Sequence, residues 1–277
     1  MLNNTLFYIV NSLIFAQNIE FMTFSEIQEK IHKNAPVDFG EVFNNTFNLF
    51  QKTWLQGFLM QLILFGVIMG IMFILYIPLM AGVFIVDGMG GVEVSEGASI
   101  LLLIGMFIFY AAFIVAINFF SMGLQAAFYR QVRMKDKGLE SERGVSWGMF
   151  FKKKYMSKLL VLSLATAGIG IAAYLLCLIP VFYVMIPLQF ISIIFAFNPE
   201  LSVKEVIYSS FNLGTKKWLI TFGLVFVSFL LVMLAGMITC GIGILFIASF
   251  VYLPAYFIYK EVVGFYEDDE AIAQIGA

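Results

Sequence analysis

Four stretches of this chain contain no aspartate, glutamate, lysine, arginine or histidine: residues 53–86, 97–129, 159–199 and 218–259. Charged residues are only 12% of the 277 residues, and histidine occurs once, as His32. A soluble core does not hold charge-free runs of this length, so a water-soluble globular class is excluded. The same absence argues against proton relays, ion-coupling sites and voltage sensors. Those need an ionisable group inside the bilayer, retained despite a cost of roughly 3 kcal/mol or more. One histidine gives no basis for a multi-histidine metal centre. The two cysteines, Cys177 and Cys240, have no C-x-x-C spacing, so thiolate metal binding and thioredoxin-like chemistry have no support. No cofactor, metal or catalytic residue is expected, and the chain reads as non-enzymatic.

What is present is apolar: 61% hydrophobic residues and a mean hydropathy of +0.95. The four runs hold 34, 33, 41 and 42 residues. One crossing needs roughly 20, at about 1.5 Å of rise per residue across about 30 Å of hydrocarbon. The last two runs therefore accommodate two helices each, with turns at Cys177–Pro180 and Thr239–Gly243, where helix breakers cluster. The first two exceed one crossing without reaching two, and each reads as a single long helix. Tilt, a kink at Pro78 or turns projecting into water would absorb the excess. Splitting them into eight crossings would leave each half at about 17 residues, too short to prefer. The expected fold is an all-α polytopic bundle of six membrane helices, with domain bounds 36–262.

With six crossings, all 16 lysines and arginines fall on one side, nine of them between Arg130 and Lys158. The other side has two tight turns and the acidic loop from Asp87 to Glu96. By the positive-inside rule both termini are cytoplasmic, which predicts a multi-pass protein of a bacterial cytoplasmic membrane. Residues 1–35 form an N-terminal segment. Its apolar stretch 5–16 lacks a preceding base and a following A-x-A site, so a signal peptide is not expected and Met22 is an alternative start. Residues 263–277 form an acidic tail that reads as solvated. The basic segment 130–158 fits topology and anionic lipid better than nucleic acid.

Residues 38–55 (DFGEVFNNTFNLFQKTWL) and 202–219 (SVKEVIYSSFNLGTKKWL) match at eight of 18 positions with an offset of 164. Composition alone would give roughly one or two, so the pair reads as a parallel internal repeat. Asp38 and Ser202 are N-cap residues, with Glu41 and Glu205 at the third helical position, a capping-box arrangement. Apolar residues recur at three- and four-residue spacing, as in an amphipathic helix lying in the membrane interface before a crossing. Phe43, Phe47, Lys52 and Trp54, and in the second copy Phe211, Lys216 and Trp218, are the candidate interface residues. Residues 146–160 are a candidate third, degenerate copy.

These segments, together with the stretch from Leu178 to Leu219, resemble a family of small bacterial six-helix membrane proteins of unknown function. That family is related to the membrane domain attached to some glycerophosphoryl diester phosphodiesterases. The likeness spans roughly residues 36–262. It implies the fold and topology rather than an activity.

Among the crossings the polar candidates are Gln61, Asn118, Gln125 and Gln189, read as interhelical hydrogen bonding or interfacial placement ahead of substrate contact. Gly66-x-x-x-Gly70 reads as a packing motif, with self-association open. Gly168-Ile-Gly170 is no dinucleotide fingerprint, because no acid follows about 20 residues on. Cys177 and Cys240 fall at the outer turns, where two free thiols are preferred to a disulfide. The leading functional expectation is a lipid-organising or lipid-sensing membrane protein whose partners are membrane lipids. The alternative is a permease or flippase for an apolar or amphipathic small molecule. A homo-oligomer or an unidentified membrane protein partner stays open.

Overall fold

The computed structural model describes residues 22–88, 96–138, 145–176 and 178–265. The segment 1–21, loop residues 89–95, Arg143, Cys177 and the acidic run Glu267–Glu270 lie outside them. Among the described residues there are nine α-helices, two 3₁₀ turns and no strand. A short helix α1 (Phe24–Lys33) precedes the very long α2 (Phe39–Gly88) and α3 (Glu96–Asp136). A 3₁₀ turn at Met149–Phe151 leads into α4 (Lys153–Leu175), and α5 (Leu178–Phe197) returns. Then come α6 (Val203–Lys216), α7 (Trp218–Ile238), α8 (Ile242–Ile247), a 3₁₀ segment Ala248–Tyr252 and α9 (Leu253–Val262). Six segments are long and apolar enough to cross a membrane: Phe39–Ile74, Ile104–Asp136, Lys153–Leu175, Ile179–Phe197, Trp218–Ile238 and Ile242–Val262. The chain is an all-α helical bundle and an integral membrane protein.

The first two charge-free runs each lie in a single helix, as their lengths predict. At 50 residues, α2 is about 75 Å long, far more than one bilayer thickness. The turn at Thr239–Gly241 puts Cys240 and Gly241 in the left-handed region, with φ of 52° and 91°, which the glycine adopts without a steric penalty.

The two repeat-like segments bury corresponding positions: Val42, Thr46, Leu49 and Thr53 in one, Val206, Ser210, Leu213 and Lys217 in the other. Their continuations differ. Thr53 donates its hydroxyl to the Leu49 carbonyl 2.9 Å away, and α2 runs on without a break. At the matching position Lys217 leaves the helix, with φ −107°, and its ammonium reaches the Ala35 carbonyl at 2.6 Å. The first segment is thus the leading part of the long helix α2, while the second is a separate helix. Residues 146–160 hold a 3₁₀ turn and the start of α4 rather than a third amphipathic helix.

Lipid tails are as apolar as leucine, so close packing and hydrogen bonds hold such a bundle more than apolar burial does. Gly214 of α6 lies directly on Pro187 of α5, and Gly57 of α2 lies on Ser249 of the last 3₁₀ segment. The largest fully buried side chains, among them Tyr129, Phe190, Phe195, Tyr256 and Tyr259, concentrate toward the ends of α3, α5 and α9 where the basic residues lie. There Arg130 donates to the Ala196 carbonyl at 2.7 Å, and the Asn198 amide donates to the Tyr259 hydroxyl at 2.7 Å. At the opposite turns Leu175, Ile179 and Met237 are exposed.

Candidate functional site

Two crossings are irregular at a proline, and beside each break a side chain bonds a backbone carbonyl. Pro187 has no N–H, so it cannot bond the carbonyl of Tyr183 one turn earlier. The indole N–H of Trp218 takes that place, 3.1 Å from the Tyr183 oxygen. The sixth crossing is broken at Ala248–Tyr252, just before Pro254. Proline at that position removes a donor and crowds the carbonyl of Phe250, so the backbone tightens into a 3₁₀ turn. The carbonyls of Val251 and Tyr252 then accept from Gln189 Nε2 at 3.3 Å and from the Tyr129 hydroxyl at 3.2 Å. Apolar surroundings require such replacement partners for irregular backbone.

Beside these two breaks lies a cavity of about 320 Å³. Its polar lining is Asn118, Ser121 and Gln125 from α3, Thr166 from α4, Gln189 and Ser192 from α5, and Tyr252. Met122, Met185, Leu188, Val225 and Val251 supply the apolar part. Ser192 donates to Gln125 Oε1 at 3.1 Å, and Gln125 Nε2 donates to Ser121 Oγ at 2.9 Å, so a short polar chain ties α5 to α3. Asn118 Nδ2 donates to the Ile114 carbonyl at 2.9 Å, within its own helix. The Gln61 side chain lies beside the Tyr252 hydroxyl. The structure therefore brings Asn118, Gln125 and Gln189 to one cavity and links Gln61 to its wall. The side-chain oxygens of Asn118 and Gln189 accept no hydrogen bond among the described residues. They can receive donors from a bound molecule.

Ser121, Ser192, Thr166 and Tyr252 are wall residues that the sequence analysis passes over. Their signal was spacing: Asn118, Ser121 and Gln125 fall at i, i+3 and i+7, and Gln189 and Ser192 at i and i+3. Each set is one polar stripe on an otherwise apolar helix.

The other sequence candidates are spread out. Phe47 and Trp54 are exposed, whereas Phe43 turns inward, edge-on to Phe250 at 6.2 Å. Phe211 is half-buried, and half-buried Trp218 stacks on Phe222 with centroids 5.0 Å apart. Lys216 donates to the Ile31 carbonyl at 3.2 Å and so ties α6 to α1. Lys52 lines a second pocket, with Glu41, Asn45, Asn48, Asp136, Lys260 and Glu261. Cys240 is exposed at its turn. Outside the crossings, the Ser202 hydroxyl and amide hold the Glu205 carboxyl below its ordinary value, and burial pushes the Lys217 ammonium down. Comparison of the chain with family models, curated proteins and solved structures finds no match.

Proposed function

We propose that this chain is a non-enzymatic lipid-handling protein of the cytoplasmic membrane, with its basic ends inside, that holds a small neutral amphiphile in the cavity between α3 and α5. The observation that carries the reading is the cavity's chemistry. It offers uncharged amide and hydroxyl groups at a depth where burying a charge would be costly, with two acceptor oxygens left over. A ligand matching them brings hydroxyl donors and an apolar body. The volume equals about ten waters' share of liquid, at the small end of ligand sites, so it takes a short amphiphile or one segment of a lipid. The matching burial of residues 38–55 and 202–219 supports an internal duplication as the origin of the two helix entries.

The test is native mass spectrometry with a short-chain monoacylglycerol. Wild type is expected to retain one molecule per chain. Leu188→Trp, which fills the cavity, and Asn118→Leu, which removes an acceptor, are expected to lose it while keeping wild-type helicity. Equal retention by all three would remove the cavity from consideration.

Transport is the second reading, favoured by the breaks at Pro187 and at Ala248–Tyr252 beside the cavity, since discontinuous helices line many transport sites. In proteoliposomes a fluorescent monoacylglycerol would then exchange between leaflets faster with wild type than with Leu188→Trp, read by dithionite quenching. Equal rates would leave binding alone.

A further inference from the structure

We propose that the second pocket, at the start of α2, binds a zwitterion carrying an ammonium group beside a phosphate, the chemistry of an ethanolamine phospholipid headgroup. The site is separate from the cavity between α3 and α5, and its assignment rests on the reading of the chain as a lipid-handling membrane protein.

The pocket measures about 350 Å³. Glu41, Asn45, Asn48 and Lys52 follow one another at i, i+4, i+7 and i+11, so they run along a single face of α2. Asp136 from the end of α3, and Lys260 and Glu261 from α9, complete the wall. Two of these charges are already matched to each other. Asp136 accepts from Lys260 at 2.6 Å and from the Tyr256 hydroxyl at 2.7 Å, and Arg133 lies 3.6 Å away. Glu41, Glu261 and Lys52 form no ion pair among the described residues. Two carboxylates and one ammonium are left facing a shared space.

A simple anion would meet Glu41 and Glu261, and a simple cation would meet Lys52. A molecule bearing both signs satisfies both sets: its ammonium lies against the carboxylates and its phosphate against Lys52. Asn45 and Asn48 between them supply amide groups able to bond either part. Depth points to a lipid. Lys52 is the last charged residue before the run 53–86, and the pocket opens where the charged chain meets that run, the level of lipid headgroups.

The experiment measures binding to purified full-length protein in mild detergent by native mass spectrometry. The probes are dihexanoyl phosphatidylethanolamine, dihexanoyl phosphatidylglycerol and free O-phosphoethanolamine. The ethanolamine lipid is expected to bind about tenfold tighter than the glycerol lipid, which lacks the ammonium. Lys52→Gln is expected to weaken the ethanolamine lipid about tenfold, and Lys52→Arg to restore it. Glu261→Gln should shrink the preference for the ethanolamine lipid over the glycerol lipid. Asn118→Leu should leave that preference intact. O-phosphoethanolamine competing as well as the lipid would keep the zwitterion chemistry and move the source to a soluble ligand. Two lipids bound equally, with Lys52→Gln and Glu261→Gln within about twofold of wild type, would overturn the assignment. If monoacylglycerol still binds in that case, the cavity reading stands and only the pocket assignment falls.

Discussion

Replacing Gly214 by alanine tests the contact that seats α6 on α5. An added methyl group would lie 2.6 Å from Pro187 Cα and 2.9 Å from its nitrogen. Both are backbone atoms, so no rotamer change relieves the overlap and the two helices must separate. Overpacking of this kind costs about 1–3 kcal/mol. Separation also strains the bond across that seam from the Ser210 hydroxyl to the Pro187 carbonyl, and the adjoining bond from the Trp218 indole at the start of α7 to the Tyr183 carbonyl. These contribute about 1 kcal/mol each when made well. Alanine regains about 1 kcal/mol of helix propensity over glycine. The net loss is about 2 kcal/mol, or about 4–8 °C in Tm for a chain of this size. Gly168 of α4 is the control, because nothing lies within 4 Å of where its Cβ would be. Gly168→Ala should be neutral or stabilising by up to about 1 kcal/mol. Thermal unfolding in detergent followed by tryptophan fluorescence reads both. Equal melting of Gly214→Ala, Gly168→Ala and wild type would refute the close approach of α5 and α6.

Gly57→Ala should destabilise by about 1–3 kcal/mol, because the methyl overlaps the Ser249 side chain in the broken crossing. Ser249→Gly in the same chain should recover most of that loss, and a double variant no better than the single would show the overlap is not the cause. The capping carboxylate Glu205 predicts a pH dependence. Its folded pKa lies below its ordinary value, so its stabilisation is present above the ordinary glutamate range and is lost as pH falls through the folded value. Hydrogen exchange of the first turn of α6, corrected for intrinsic rate, should lose protection on acidification in wild type. Glu205→Gln should show no such change, and the same pH dependence in that variant would refute the cap's role.

The six crossings were legible because charge-free runs have lengths, and lengths count helices. The turn at Thr239–Gly241 was legible because its glycine marks a place where the backbone leaves the helical region. Helix α1 carried a signal that the sequence analysis did not use. Thr23 and Glu26 form the same reciprocal cap as Ser202 and Glu205, ahead of buried Ile27 and Ile31. Two buried residues make a weak periodic pattern, and the neighbouring apolar stretch 5–16 competes with it. Pro254 announced trouble in the sixth crossing, yet nothing local says that Gln189 and Tyr129 would bond the carbonyls of Val251 and Tyr252 beside the break. Those partners come from 62 and 123 residues away in the chain, brought there by helix register. The cavity has the same origin. Asn118, Gln125 and Gln189 are visible singly as polar residues in apolar helices, but their convergence depends on how α3 and α5 pack. The contrast between Thr53 and Lys217 is tertiary too, since it turns on whether the Ala35 carbonyl is within reach.

The most direct test of the central claim is photocrosslinking in native membranes, with a benzophenone amino acid at Leu188 in the cavity or at exposed Leu230 on α7. A ligand held in the cavity gives one defined adduct mass at Leu188, from a neutral amphiphile, and a mixture mirroring bulk lipid at Leu230. The same bulk mixture at both positions, or no adduct at Leu188, would contradict the claim.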